Sequence, residues 1–201
     1  NNFTKKRLIE LSGLALIAAS LFLMVSIISY SPSDPNFIYT PENTEIKNLL
    51  GFQGSFVSDL FFQSVGLISY LISFTFIITG VNIFKLKEFF LIIENTFFTV
   101  IYSIFGTLFL TQFYSKAFTL YINGNGGFIG NYLNQTFFGS LIQLNETIFY
   151  YFLILLISFL FLISINFKPK SFYFISKKFF NFLLKKRQKN YTDKSEIINE
   201  Y

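Results

Sequence analysis

Four apolar runs, each about as long as a bilayer is thick, set the plan of this chain: residues 11–29, 59–81, 89–113 and 147–165. A soluble domain of 201 residues disperses its apolar positions at helix or strand period, whereas here they come in blocks. The pattern predicts an all-α integral membrane protein, a four-helix transmembrane bundle. The last run is the most apolar, with 14 Leu, Ile or Phe residues. On the insertion scale these favour the membrane by about 5 kcal/mol before corrections. In the first run, Ala15 and Ala19 lie four apart and offer a small face to another helix. In the second, Gly66, Ser69 and Ser73 recur along one expected face. The first run exceeds the ~7–15 residues of a signal-peptide core and no A-x-A site follows, so it reads as a retained anchor.

Polar stretches separate the runs. Residues 31–55 and 114–146 form two long loops, and 82–88 a tight hydrophilic turn. The longer loop carries a glycine-rich turn at 123–130. Apolar residues follow it, predicting a short amphipathic helix on the membrane surface. Lysine and arginine decide orientation. Three lie in the N-terminal lead, two in the 82–88 turn and nine between Lys168 and Lys194, leaving only Lys47 and Lys116 in the long loops. By the positive-inside rule both termini are cytoplasmic and both long loops external.

After the fourth run, residues 167–190 alternate aromatic and basic positions at helical pitch, predicting a basic amphipathic C-terminal helix. Its cations, Lys170, Lys177, Lys178, Lys185, Lys186 and Arg187, suit the anionic lipids of the inner leaflet at roughly 1 kcal/mol each. A DNA-phosphate patch or a simple topology stop are the other readings of that charge. Residues 191–201 turn polar and aperiodic, as a linker does.

The densest local chemistry lies between residues 31 and 70. Pro32 and Pro35 fix φ and remove donors, so no helix passes through Ser31–Pro35, while Ser33 and Asp34 can accept from nearby backbone N–H groups. Gly51 and Gly54 permit close backbone geometry before the second run. Asp59 is expected in the first turn of that run, where the helix dipole favours it.

These residues resemble a known family. The run Ser31-Pro32-Ser33-Asp34-Pro35 comes first. Asn48, Gly51, Gly54, Ser58, Asp59 and Phe62 follow, then Gly66-x-x-Ser69-Tyr70 and Gly126-Gly127-x-Ile129-Gly130. Together they are similar to the N-terminal four-span membrane domain of the FtsK/SpoIIIE DNA translocases, over about residues 5–165. The resemblance implies a membrane anchor for a hexameric, ATP-driven DNA pump at the division septum of a bacterial inner membrane. Septal proteins would be its partners. The motor, with its ATP and magnesium, and all contact with DNA would lie on a later part of the chain. The residues that carry the resemblance are Ser33, Asp34, Pro35, Asn48, Gly51, Gly54, Asp59, Gly66, Tyr70, Gly126, Gly127 and Gly130, expected to shape the external face and pack the spans.

Composition narrows the chemistry. Cysteine and histidine are both absent, which removes thiol nucleophiles, the usual zinc ligands and the commonest general base. There is no G-x-x-x-x-G-K-[ST] phosphate loop and no G-x-S-x-G elbow. No catalytic, cofactor-binding or metal-binding residue is assigned in this chain. Glu10, Asp59, Glu94 and Glu146 lie near run ends and read as interfacial carboxylates rather than an ion path. Glu10 is placed to pair with Arg7 and Lys6 at helical spacing. A small four-span transporter or channel subunit is the alternative function. It would need converging mid-membrane polar groups, broken helices or inverted repeats. A membrane acyl or phosphate transferase is a second rival, disfavoured by the composition.

Overall fold

The computed structural model describes residues 2–36, 45–115 and 123–169, together with 173, 177, 178 and 181. It contains seven α-helices among those residues and no strand. They are α1 (Asn2–Ile28), α2 (Gly51–Val65), α3 (Ile68–Leu86), α4 (Leu91–Phe113), α5 (Gly127–Asn134), α6 (Phe137–Leu144) and α7 (Glu146–Ser164). Four of them, α1, α3, α4 and α7, are long and apolar enough to cross a membrane. The chain divides into two units, residues 1–166 and 167–201.

Within the first unit the four long helices alternate in direction. One end of the unit gathers the C-termini of α1 and α4, the N-termini of α3 and α7, and the shorter helices. This is called the loop end. The opposite end carries Arg7, Glu10, Lys87 and Asn166. The tightest helix pair is α1 with α3. Its crossing is made by two glycines: a Cβ on Gly13 would lie 2.9 Å from the Gly80 carbonyl oxygen, and one on Gly80 would lie 2.8 Å from that of Gly13. Backbones this close gain dispersion contacts that lipid cannot supply. Ala15 and Ala19, expected to make such a face, are exposed instead.

The other packing centre is aromatic. Tyr102 of α4 is fully buried in a cluster with Ile68 and Ile72 of α3 and Leu160 of α7. Its hydroxyl lies 2.9 Å from the Thr75 hydroxyl, and Thr75 Oγ1 lies 3.5 Å from Ser164 Oγ. Three helices thus satisfy one another's polar groups where no water competes. Ser69, Ser73, Thr79 and Thr99 donate their hydroxyl protons to backbone carbonyls of their own segments and line the same seam.

Two boundaries differ from the sequence prediction. The apolar block 59–81 is not one helix, because Gly66 adopts φ 62° and ψ −141°, a backbone state closed to side chains with a Cβ. The break ends α2 at Val65 and starts α3 at Ile68, so the second span runs some residues later than expected. Consequently Asp59 sits deep in α2 rather than in the first turn of a span, and Gly66 is a hinge rather than part of a packing face. Asn82, placed in a turn by its polarity, is helical. The turn between α3 and α4 begins at Lys87, whose left-handed φ of 61° closes α3 with an N–H bond to the Ile83 carbonyl.

The glycine-rich loop holds two short helices where the sequence suggested one. Thr136 caps α6 by accepting from the Phe138 N–H, and Asn145 caps α7 by accepting from the Ile148 N–H at 3.2 Å. Glu94 and Glu146 lie in the first turns of α4 and α7, both exposed.

The predicted basic helix over 167–190 falls largely outside the described residues, as does the linker at 191–201. Of its cations, Lys177 and Lys178 are described, helical and exposed, with Lys177 over the Tyr173 ring at 5.9 Å. Lys170, Lys185, Lys186 and Arg187 lie outside.

Candidate functional site

The loop end is built from two interlocked knots. The first joins the exit of α1 to the start of α2. Asp34, 2% exposed, turns its carboxylate onto the segment that returns toward α2: Oδ1 accepts from the Lys47 N–H at 3.0 Å and Oδ2 from the Asn48 N–H at 2.8 Å. Asn48, 4% exposed, donates its amide to the Ser26 carbonyl at 2.8 Å and to Ser58 Oγ at 3.4 Å, and accepts from the Leu50 N–H at 3.1 Å. One side chain therefore ties the end of α1 to the middle of α2. Ser55 donates to the Pro35 carbonyl. Ser29 Oγ accepts from the Leu49 N–H at 3.1 Å. Gly54 leaves room for Asn48, since a Cβ there would collide with its amide oxygen.

An aromatic layer lies against this knot. Tyr30 packs on Phe62 with ring centroids 4.7 Å apart, and Phe62 on Tyr70 at 5.7 Å. The Tyr30 hydroxyl donates to Asp59 Oδ1 at 3.3 Å, Gln63 donates to the same oxygen at 3.4 Å, and Tyr70 donates to the Ile27 carbonyl at 3.4 Å. Asp59 is a buried acceptor inside α2.

The second knot locks the hinge at Gly66 to the α5 turn. The Leu67 N–H donates to the Asn125 carbonyl at 2.9 Å, and Asn123 donates to the Gln63 carbonyl at 3.2 Å. Asn125 is buried and donates to the Tyr114 carbonyl. Gly126 and Gly130 lie on the Thr107 carbonyl and Thr111 hydroxyl of α4. Gly127, at φ 67°, faces the Ser64 carbonyl and the Gly66 nitrogen. No side chain fits any of these contacts, so α5 can seat against α2 and α4 only through glycine.

Of the residues singled out in the sequence, Asp34, Pro35, Asn48 and Gly54 meet in the first knot, and Gly66, Gly126, Gly127 and Gly130 in the second. Asp59 and Tyr70 join the aromatic layer. Ser33 is exposed, its hydroxyl 2.9 Å from that of Ser31, and Gly51 has a left-handed φ of 63° with open space around it. Sequence reasoning missed Ser26 and Asn125, which have no spacing signal. It also missed Gly13 and Gly80, which did carry one, since an isolated glycine inside a helical pattern marks a close approach.

At the opposite end the chemistry is ionic and amide-based. Glu10 receives Arg7 at 2.5 Å and Lys87 at 2.8 Å, linking α1 to the α3–α4 turn. Lys87, not Lys6, is its second partner. Asn95 is fully buried and donates to Thr79 Oγ1 and Asn166 Oδ1, each at 2.9 Å, which joins α3, α4 and the end of α7. Among the described residues no cluster of three His, Cys, Asp or Glu side chains could hold a metal ion.

Four alternating apolar helices, a seam satisfied by hydroxyls and a glycine-knotted loop end define a polytopic helical membrane domain. The family model described as the 4TM region of DNA translocase FtsK/SpoIIIE matches residues 5–170, and the chain belongs to that family. Among curated proteins it is similar to the DNA translocase FtsK of Azospirillum brasilense, 30% identical over 112 residues that make up 55% of this chain and 17% of that one. It is also similar to the DNA translocase FtsK of Shewanella oneidensis, 26% identical over 135 residues, 65% of this chain and 15% of that one. The chain thus spans less than a fifth of the length of these relatives. No solved structure matches it.

Proposed function

We propose that this chain is the membrane anchor of an FtsK-like DNA translocase acting in cell division and chromosome segregation. The observation that carries the reading is the family match over residues 5–170, which takes in all four apolar helices. In this reading both termini face the cytoplasm of a bacterial inner membrane, since 14 of the 16 lysines and arginines lie at the termini and in the 82–88 turn. The loop end is then external and offers a fixed shape to septal partners. The match to the membrane region supports anchoring by these residues, and in this reading oligomerisation and recruitment are theirs as well. ATP, magnesium and DNA are then the business of a motor that these residues do not contain.

The absence of native cysteine makes orientation directly measurable. Single cysteines at Ile46 and Glu88 should differ in spheroplasts: an impermeant maleimide labels Ile46→Cys and spares Glu88→Cys. The opposite pattern would overturn the topology. Recruitment is tested by a fluorescent fusion to the native gene product carrying Asp34→Ala with Gly127→Leu, which alters both knots. Membrane insertion should persist while midcell placement is lost. Normal midcell placement would remove the recruitment role.

A further inference from the structure

Helices α5 and α6 do not sit above the membrane-spanning helices; they lie beside them. Gly130 of α5 rests on the Thr107 carbonyl, six residues short of the end of α4, which is about 9 Å down its axis. Ile142 of α6 is buried in one cluster with Leu108 of α4 and Leu153 of α7. Leu153 lies seven residues into α7, about 10 Å from its start. A 19-residue helix such as α7 is about 28 Å long, close to the hydrocarbon thickness of a bilayer. It has no length to spare, so a segment packed two turns down its side lies within the depth of one leaflet.

The composition of the segment agrees with that depth. No charged residue occurs between Lys116 and Glu146. Most outward side chains of the two helices are apolar, namely Phe128, Tyr132, Phe137, Phe138 and Leu144, the last 80% exposed, with Ser140 and Gln143 of α6 the exposed polar exceptions. Most of the backbone in the connection between the helices is internally bonded. The N–H groups of Gln135, Thr136, Phe138 and Gly139 all have protein acceptors, as backbone in an apolar medium must. Asn145 alone joins α6 to α7, so no spacer could lift α6 clear of the surface.

We infer that α5 and α6 form an insert embedded in the lipid of the leaflet at the loop end, with Phe128, Tyr132, Phe137, Phe138 and Leu144 in contact with phospholipid acyl chains. The domain then has a larger cross-section in that leaflet than in the other. The face is a lipid-binding surface and leaves the exposed residues over the first knot, Ser33, Ile46 and Lys47 among them, as the part of the loop end open to water and to protein partners.

The chain contains no tryptophan, so a single introduced indole reports its own surroundings. The full chain carrying Phe137→Trp, and separately Phe128→Trp, would be reconstituted in phosphatidylethanolamine–phosphatidylglycerol vesicles. Ile46→Trp, between Glu45 and Lys47, serves as the aqueous reference. Emission of the two α5–α6 variants should be blue-shifted, several-fold less quenched by iodide than the reference, and strongly quenched by lipids with a doxyl group high on the acyl chain. Iodide quenching equal to the reference in both variants would overturn the inference. So would shielding from iodide without doxyl quenching, which would mean that protein covers the face. In that case, shielding lost on dilution into excess lipid would identify a second copy of the chain as the cover.

Discussion

The two ends of the membrane unit solve the same problem, joining helices that lipid does not push together, by opposite means. At the loop end the joints are backbone carbonyls, amide side chains and glycines with no space for a methyl group. At the other end, beyond the Gly13–Gly80 crossing that shares the glycine device, they are charges and a buried asparagine: Arg7, Lys87 and Glu10, with Asn95 between Thr79 and Asn166. Shape-determined joints tolerate almost no substitution, because a Cβ there meets backbone that cannot move. Ionic joints near water tolerate change, because long side chains and solvent can compensate.

The comparison breaks most sharply at Gly66. Gly66→Val forces a branched residue into a glycine-only backbone state and onto the Asn125 carbonyl. The expected loss is about 3 kcal/mol or more. Amide exchange at Leu67, whose N–H bonds to Asn125, should become fast while the centre of α4 stays protected. Uniform deprotection would show instead that the whole unit depends on this knot.

The next effect is at the first knot. Asp34→Ala strands the N–H groups of Lys47 and Asn48, for an expected cost of about 2 kcal/mol. Asn48→Ala should cost a similar amount, and the double variant less than the sum, since both act in one network. Thermal unfolding of the three variants in detergent measures the coupling; strict additivity would mean that the two side chains work independently.

Smaller still is Asn95→Ala at the opposite end, at about 1 kcal/mol, because interhelical hydrogen bonds within membranes are modest. A loss as large as that of Gly66→Val would erase the contrast between the two ends. Glu10→Gln should have the least effect and should sharpen the distinction by its salt dependence. Its melting temperature should be nearly insensitive to added salt, while that of the parent chain falls slightly as the Arg7 and Lys87 pairs are screened.

Some of this was legible beforehand. Run length places four membrane-crossing helices on the chain, and the proline pair at Pro32 and Pro35 ends the first of them. Asp34 stood out by its turn chemistry, Gly66 as a small residue on an expected packing face, and Asn48, Gly126, Gly127 and Gly130 through the family resemblance. Which of them touch was not readable. Asn48 reaches back across 22 positions to Ser26, and Leu67 meets Asn125 from 58 positions away. The division of the 59–81 block at Gly66 was hidden because both flanks are apolar, and hydropathy averages across a single residue.

What the amino-acid order determined alone is the partition of the chain between lipid and water, since transfer free energy sums residue by residue. It also determined the asymmetry of positive charge. The choice of neighbours belongs to the tertiary structure: α1 on α3 through Gly13 and Gly80, and α5 and α6 folded down beside α4 and α7. Helices apolar on every side carry no stripe that says which face meets protein and which meets lipid, because lipid tails and leucine are equally apolar. Close fit of backbone and satisfaction of scattered hydroxyls and amides make that choice, and both exist only once the helices are together.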